Sequence, residues 1–193
     1  YMKLKGDDAQ VVNVMYYEPK DTAQSLLAIS HEGYAVRFDV AEVPIAGVRT
    51  TGVRAINLHD DDRMVDLQLV DEDQHLAMVT QRGAFKEMAV ADIKLGARAR
   101  RGELVLHRLK KLPHKLVDFS PYDADYQGAV EIITDRPLFQ DVLITDHHLG
   151  TAHSNGTFVI DTESQGIPVK LRIKPQLTET ATSEQLDLTD SIS

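Results

Sequence analysis

The segment LLAISHEGYAVRFDVAEV, residues 26–43, occurs a second time in the chain, as HLAMVTQRGAFKEMAVADI at residues 75–93. The two copies align at an offset of 50 residues. The aligned pairs include Gly33 with Gly83, Val40 with Val90, Ala41 with Ala91, Glu42 with Asp92 and Gly52 with Gly102. A fixed period of this length predicts an array of similar structural units.

Two further segments extend the repeat. A weaker third copy reads AVEIITDRPLFQDVLI at residues 129–144 and continues as TAHSNGTFVID at residues 151–161, where Gly156 takes the place of Gly102. At the other end, YMKLKGDDAQVV at residues 1–12 resembles AINLHDDDRMVD at residues 55–66. The first residues are therefore predicted to form the second half of a preceding unit.

Short runs with a period of two predict strands, and no long segment has apolar residues at helical spacing. Tyr34, Val36 and Phe38 are expected on one face of a strand. Val65, Leu67 and Leu69 are expected to share a face in the same way. Two runs that are apolar on both faces, Leu26–Ile29 and Leu76–Val79, predict inner strands that are covered on two sides.

Glycines mark the expected turns. Gly33 and Gly83 stand between paired strands, where a hairpin needs a positive φ that glycine adopts without steric cost. Asn155-Gly156 is the favoured pair for a type I′ turn, and this interpretation also accounts for the glycosylation pattern of Asn155-Gly156-Thr157.

Four short strands per ~50 residues predict an all-β, propeller-like fold made of blades. A solenoid and two unrelated sandwiches remain alternatives. The expected boundaries are 1–22 for the second half of a preceding blade, 23–72 for a blade, 73–123 for a basic blade, 124–175 for a degenerate blade and 176–193 for an acidic C-terminal tail.

The charge is unevenly distributed. The 193 residues carry a formal net charge of −9, which by itself argues against a nucleic-acid ligand. Residues 82–115, however, hold ten Lys or Arg against three acids, a local balance of +7, so the remainder sums to −16. The chain contains no cysteine and no run of the roughly 20 apolar residues that a membrane-spanning helix needs.

The basic residues concentrate on the loop Arg98-Ala99-Arg100-Arg101-Gly102 and its flanks. Arginine suits phosphate because its planar fork reaches two oxygens at once, and such contacts do not read sequence. At least two of the three loop arginines are expected to face solvent. A solvated basic surface without a ligand is the alternative interpretation.

Other polar groups suggest no chemistry. His147, His148 and His153 invite a metal assignment but lie in the degenerate third loop, where a surface role is favoured. Asp60, Asp61 and Asp62 are typical of a solvated turn. The chain has no phosphate-binding G-x-x-x-x-G-K, no G-x-S-x-G and no H-E-x-x-H motif, so no catalytic residue is predicted.

The string from Gly33 to Leu58 resembles a blade of the C-terminal domain of gyrase and topoisomerase IV A subunits. The matching features are Gly33 with Arg37, Glu42-Val43-Pro44, Arg49-Thr50-Thr51-Gly52 and Val53-Arg54-Ala55-Ile56-Asn57-Leu58. The resemblance implies a β-pinwheel, in which neighbouring blades exchange strands and DNA bends around a basic rim. The glutamine-arginine-glycine-lysine box of gyrase is absent from these residues, which favours the topoisomerase IV A subunit over the gyrase A subunit.

The resemblance also implies a function. The domain would bind and bend duplex DNA and position it for ATP-dependent strand passage, decatenation and supercoil relaxation, without a catalytic residue or cofactor of its own. ATP and Mg²⁺ are expected in other parts of the enzyme. The implied DNA contacts are Arg37, Arg49, Arg54, Arg82, Lys86, Lys94, Arg98, Arg100, Arg101, Arg108, Lys110 and Lys111.

The expected partners are duplex DNA and, in a heterotetramer, the remainder of the A subunit with the ATPase B subunit. The expected location is the cytoplasm, on the chromosome, and the resemblance is compatible with peripheral membrane association but not with a membrane span. Alternatives to a DNA-binding domain of topoisomerase IV are the gyrase A domain, a protein-interaction propeller and an enzyme with a site in a propeller channel.

Overall fold

The computed structural model describes residues 9–19, 24–47, 50–59 and 61–176, and their regular structure is almost entirely β. The strands are β1 (Ser25–Ser30), β2 (Tyr34–Asp39), β3 (Met64–Val70), β4 (His75–Thr80), β5 (Ala84–Ala89), β6 (Leu95–Gly96), β7 (Glu103–Leu104), β8 (Leu116–Tyr122), β9 (Ala129–Thr134), β10 (Phe139–Leu143), β11 (Thr157–Phe158) and β12 (Pro168–Ile173). The helices are three 3₁₀ turns, Val40–Glu42, Val90–Asp92 and Ile144–Asp146, and α1 (Thr162–Gln165). The all-β prediction is confirmed.

Three sheets contain these strands. The first sheet has the order β3-β1-β2, with β6 and β7 both on the outer edge of β2. The second sheet has the order β8-β4-β5-β11, and the third has the order β12-β9-β10. In each sheet a hairpin joins two strands that follow one another in the chain: β1 with β2, β4 with β5, and β9 with β10.

The central strands β1 and β4 are buried on both faces, as their apolar sequences predicted. Leu76 and Met78 of β4 pack with Leu27 and Ile29 of β1 in the core between the first and second sheets. The alternate face of β4, with Ala77 and Val79, packs against the third sheet. Burial of such side chains stabilises the fold by roughly 1.5–3 kcal/mol each for the larger ones.

The hairpin glycines lie where they were predicted. Gly33 has a φ of 85° and Gly83 has a φ of 80°. Their amides donate to the carbonyls of Ser30 and Thr80, each at 2.9 Å. An L side chain is disfavoured in this left-handed region, so the repeated glycine follows from the turn geometry.

The face assignment of Val65 is wrong. A register shift between Ile29 and Ser30 leaves Val65 as an extra residue of β3, because Asp66 pairs with Ile29 and Met64 pairs with Ser30. A β-bulge of this kind turns one side chain to the other face. Val65 therefore packs in the core between the first two sheets, whereas Leu67 and Leu69 pack in the cluster on the opposite face of β1.

The type I′ turn predicted at Asn155-Gly156 is also wrong. Gly156 has a φ of 78°, but Asn155 does not share the positive φ that both central residues of such a turn require. The segment does not fold back on its own repeat. It leads into β11, and Asn155 Nδ2 donates to the carbonyl of His107 at 3.0 Å.

The outer strands are exchanged between repeats. In the first sheet β7, from the second repeat, pairs with β2 and places Leu104 opposite Tyr34. In the second sheet β11, from the third repeat, pairs with β5 and places Phe158 opposite Ala84. The blade boundaries stay a prediction. Residues 9–19 of the expected half-blade are described and contain no strand, whereas only Gln176 of the expected acidic tail is described.

Glycines permit this exchange. A Cβ on Gly102 would overlap the carbonyl of Ala35, and a Cβ on Gly156 would overlap the carbonyl of Phe85. Each glycine precedes an exchanged strand and has a positive φ. The repeated glycine therefore marks a point where two backbones come too close for any side chain.

Candidate nucleic-acid interface

Accessible basic side chains gather in two places, one at the edge of the first sheet and one beside the β4–β5 turn of the second sheet. Of the ten Lys and Arg in residues 82–115, Lys86 alone is buried. The first basic cluster lies at the edge of the first sheet and consists of Arg54, Lys94, Arg98, Arg100 and Arg101. The second basic cluster lies around the loop before β8 and consists of Arg82, Arg108, Lys110, Lys111 and Lys115.

Backbone contacts hold the arginine loop of the first cluster against the segment around Ile56. The Ala99 amide donates to the carbonyl of Ala55 at 2.7 Å, and the Asn57 amide donates to the carbonyl of Arg100 at 2.8 Å. Ala99 has a φ of 62°, which a non-glycine residue rarely adopts. The loop is thus fixed by its main chain, which leaves the side chains of Arg100 and Arg101 exposed.

The three loop arginines differ in their surroundings. Arg98 is half-buried, and its Nε and Nη1 donate to the carbonyls of Glu42 and Arg54, each at 3.1 Å. Arg100 and Arg101 are exposed, which confirms that at least two face solvent. Arg101 Nη2 donates to the Tyr34 hydroxyl at 2.6 Å, and its guanidinium lies 4.3 Å from the centre of the Tyr34 ring.

Three members of the second cluster, Arg108, Lys110 and Lys115, line an open cavity of about 500 Å³ beside the loop before β8. Arg82 Nη1 donates to the carbonyl of Leu112 at 2.8 Å, and its guanidinium lies 5.4 Å from the centre of the Phe158 ring. Lys115 forms an ion pair with Glu32. Arg108, Lys110 and Lys111 are exposed.

Known proteins share both the sequence and the shape of this chain. Residues 24–71 match the family described as DNA gyrase C-terminal domain, beta-propeller. The A subunit of DNA topoisomerase 4 from Streptococcus pyogenes serotype M3 (strain ATCC BAA-595 / MGAS315) is 35% identical over 181 residues, covering 85% of this chain. The crystal structure of the C-terminal domain of DNA topoisomerase IV is 30% identical, with a TM-score of 0.75 over 86% of this chain and 51% of that one. This chain belongs to the C-terminal domain family of type II topoisomerase A subunits.

The structure of the DNA gyrase A C-terminal domain shares the fold, with a TM-score of 0.71 and 14% identity over 88% of this chain and 55% of that one. The expected β-pinwheel class is confirmed by these neighbours. The higher identity to topoisomerase IV agrees with the preference for its A subunit over that of gyrase. This chain spans 22% of the length of the Streptococcus pyogenes relative.

The structure of this C-terminal domain removes Arg37 and Lys86 from the predicted DNA contacts. Arg37 is 4% exposed, and its Nη1 donates to the carbonyls of Val90 and Ile93, each at 3.1 Å. Arg37 also pairs with Glu72 at 2.9 Å. These bonds join the first sheet to the 3₁₀ turn of the next repeat, so the charge serves the core.

Lys86 is 2% exposed, and its ammonium donates to the carbonyls of Val105, Thr151 and Ser154. Burial lowers the pKa of Lys86 to about 8. The ammonium therefore ties the exchanged segment of the third repeat to the second sheet and cannot reach a phosphate. The remaining predicted contacts lie in the two clusters, except Arg49, which is outside the described residues.

The residue in the second repeat that corresponds to Arg37 is Glu87, which is 4% exposed. Tyr122 donates to Glu87 Oε2 at 2.7 Å. Burial raises the pKa of the Glu87 carboxyl, although the Tyr122 hydrogen bond and the nearby His147 act in the opposite direction. This buried acid lies away from the basic clusters and has a structural role.

Two of the expected surface residues, one in the third loop and one in the acidic turn, make structural contacts. His147 packs edge-on against Phe85, with 5.2 Å between ring centres. Asp62 Oδ1 accepts the Glu32 amide at 3.0 Å, and Asp60 lies outside the described residues. Within the described ranges no three acidic or histidine side chains come together as a metal site, and no helix has the length and apolarity of a membrane span.

Sequence reasoning missed one basic residue of the second cluster and two aromatic rings that contact the clusters. Lys115 ends the basic segment but was not assigned a contact. Tyr34 and Phe158 carry the rings under Arg101 and Arg82. Their signal was positional, because Tyr34 directly follows the hairpin Gly33 and Phe158 stands two residues after the exchange Gly156.

Proposed function

We propose that this chain is the DNA-binding accessory domain of a topoisomerase IV A subunit. It would hold duplex DNA across the two basic clusters of its first two sheets and so position the duplex for strand passage, decatenation and relaxation by the whole enzyme. The observation that supports this proposal most directly is the accessibility of basic side chains on an otherwise acidic chain. Nine of the ten Lys and Arg between residues 82 and 115 are accessible at the surface.

The chemistry of the clusters fits duplex phosphates. Lys and Arg neutralise phosphates without reading sequence, and curved arrays of such contacts favour DNA that bends easily. In this proposal an ATPase B subunit, together with the remainder of the A subunit, supplies the cleavage and ATP chemistry, with Mg²⁺, and the complex acts on cytoplasmic chromosomal DNA. The described domain contributes position and curvature.

The test is a titration of labelled duplex DNA at several salt concentrations. We expect weak, non-specific binding in the range of roughly 10⁻⁴ to 10⁻⁶ M at physiological salt, with affinity that falls steeply as salt rises. Each phosphate contact contributes ~0.9 to the salt slope, equivalent to about a fivefold change in affinity between 0.15 M and 1 M salt. Binding that is unchanged by salt would contradict the proposal.

A matched pair of variants locates the surface. Arg100→Gln with Arg101→Gln removes two charges from the first cluster, and we expect affinity to fall by about five- to thirtyfold, for one or two lost phosphate contacts. Arg136→Gln with Arg172→Gln removes the same charge from the third sheet and should leave binding nearly unchanged. Equal losses in both pairs would show that only net charge matters.

Protein docking is a second candidate function, favoured by the apolar outer edge of β10. Phe139 is 67% exposed there and Leu143 is 49% exposed. Binding of a protein partner to such a face would resist high salt, so the same salt titration separates the two functions.

A further inference from the structure

Two arginines at the rim are stacked on aromatic rings. Arg101 lies over Tyr34 at 4.3 Å and Arg82 lies over Phe158 at 5.4 Å. Hydrogen bonds also hold both guanidinium groups. Arg101 Nη2 donates to the Tyr34 hydroxyl, and Arg82 Nη1 donates to the Leu112 carbonyl at 2.8 Å and lies 3.2 Å from His114 Nε2. Phe158 is 59% exposed although it is a large apolar side chain.

The two rings occupy equivalent places in neighbouring sheets but come from opposite members of a strand pair. Tyr34 of β2 stands opposite Leu104 of the exchanged β7. In the next sheet the pair is reversed, with Ala84 on β5 and the ring of Phe158 on the exchanged β11. The arginines are likewise supplied by different elements, because Arg101 precedes the exchanged strand and Arg82 lies in the hairpin.

We propose that Arg101 on Tyr34 and Arg82 on Phe158 form two preorganised phosphate-binding points, one per sheet, that fix the path of duplex DNA along the rim. This inference rests on the proposed function and specifies which residues carry it. The ring and the hydrogen bonds restrain each guanidinium through one of its nitrogens, while its other N–H groups are left for phosphate oxygens. Restraint before binding reduces the conformational entropy lost on binding, whereas the exposed Arg100 and Arg108 must be ordered by the DNA.

The first test compares two double variants with the same charge change inside the same clusters. Arg82→Gln with Arg101→Gln should weaken duplex binding by about thirtyfold at 0.15 M salt and lower the salt slope by ~1.8. Arg100→Gln with Arg108→Gln should weaken binding by less than about threefold, because these side chains are not preorganised. Equal losses for the two pairs would overturn the inference.

The second test removes the rings without changing charge. Tyr34→Leu and Phe158→Leu should each weaken binding about two- to fivefold, the fold-change that corresponds to an exposed cation–π contact. Phe139→Leu removes an exposed ring on β10 and should have no effect. Tyr34→Phe keeps the ring but removes the hydroxyl, so it separates stacking from the hydrogen bond.

The outcomes are distinguishable. If the parent chain does not bind duplex DNA, the proposed function fails. If the parent binds and both ring variants bind equally well, this inference alone fails. If circular dichroism shows that Tyr34→Leu is unfolded, the Phe158→Leu variant, which changes an exposed ring, still tests whether the rings contribute to DNA binding. If the ring variants lose affinity for single-stranded DNA but not for duplex DNA, the rings are base-stacking platforms, and this result would also overturn the inference.

Discussion

The exchange of strands between repeats predicts that Gly156 is much less tolerant of substitution than Gly52. Gly156→Ala places a methyl group at a φ of 78°, which costs roughly 1–2 kcal/mol for an L residue. That methyl group would also overlap the Phe85 carbonyl and lie 2.8 Å from Lys86 Cβ. Relieving this overlap requires a backbone shift that costs roughly 1–3 kcal/mol. Together with the cost of the positive φ, the free energy of unfolding should fall by about 2–5 kcal/mol.

Gly52→Ala is the matched control. Gly52 has a φ of 74°, but no atom of the described residues lies within 4 Å of a Cβ at this position. Alanine at this positive φ costs about 1–2 kcal/mol of stability. Part of this cost is offset, because alanine lowers the conformational entropy of the unfolded chain, which stabilises the folded state by about 0.4–1 kcal/mol. Urea unfolding followed by circular dichroism measures both variants. Equal destabilisation would refute the close approach of β11 to β5 as the reason for the glycine.

Two further predictions concern buried cations. Arg37→Leu should lower the free energy of unfolding by roughly 2–5 kcal/mol, because it leaves the Val90 and Ile93 carbonyls without a donor, while DNA binding by the folded variant stays at the parent value. A selective loss of DNA binding in a stable variant would contradict this. For Lys86, the folded pKa of about 8 lies below the unfolded value of 10.5, so the unfolded chain binds more protons between these pH values. Stability relative to Lys86→Met should therefore rise from pH 8 to pH 10 in urea titrations, and a flat difference would contradict the burial of this ammonium.

The sequence was sufficient for features that depend on local geometry. The period of the repeat, the hairpins at Gly33 and Gly83 and the doubly buried strands β1 and β4 follow from turn chemistry and apolar patterning. The bulge at Val65 was missed because the sequence of β3 still alternates between apolar and polar residues at Val65, Leu67 and Leu69. This alternation does not reveal that one residue is unpaired. The type I′ turn predicted at Asn155-Gly156 is wrong because the segment leads into β11, which pairs with β5 of the preceding repeat.

The errors in the candidate site have a common physical cause. Arg37 and Lys86 were interpreted as surface cations because Lys and Arg are rarely buried without partners. Their partners include carbonyls 53 to 68 residues away in the chain, which only the packing of successive sheets brings close. The Tyr34 hydroxyl is likewise 67 residues from Arg101. Charge density along the sequence located the rim, but the division between structural and available cations required the three-dimensional arrangement.

The exchange of outer strands also has a consequence for the order in which a ribosome releases the chain. Strand β2 ends at Asp39, whereas β7, which pairs with its outer edge, ends at Leu104. At a synthesis rate of roughly 5–20 residues per second, β7 emerges about 3–13 s after β2. During that interval β2 has a free edge, and the repeat offers similar segments on every nascent copy. Domain-swapped dimers between neighbouring growing chains are therefore the misassembly that this architecture favours.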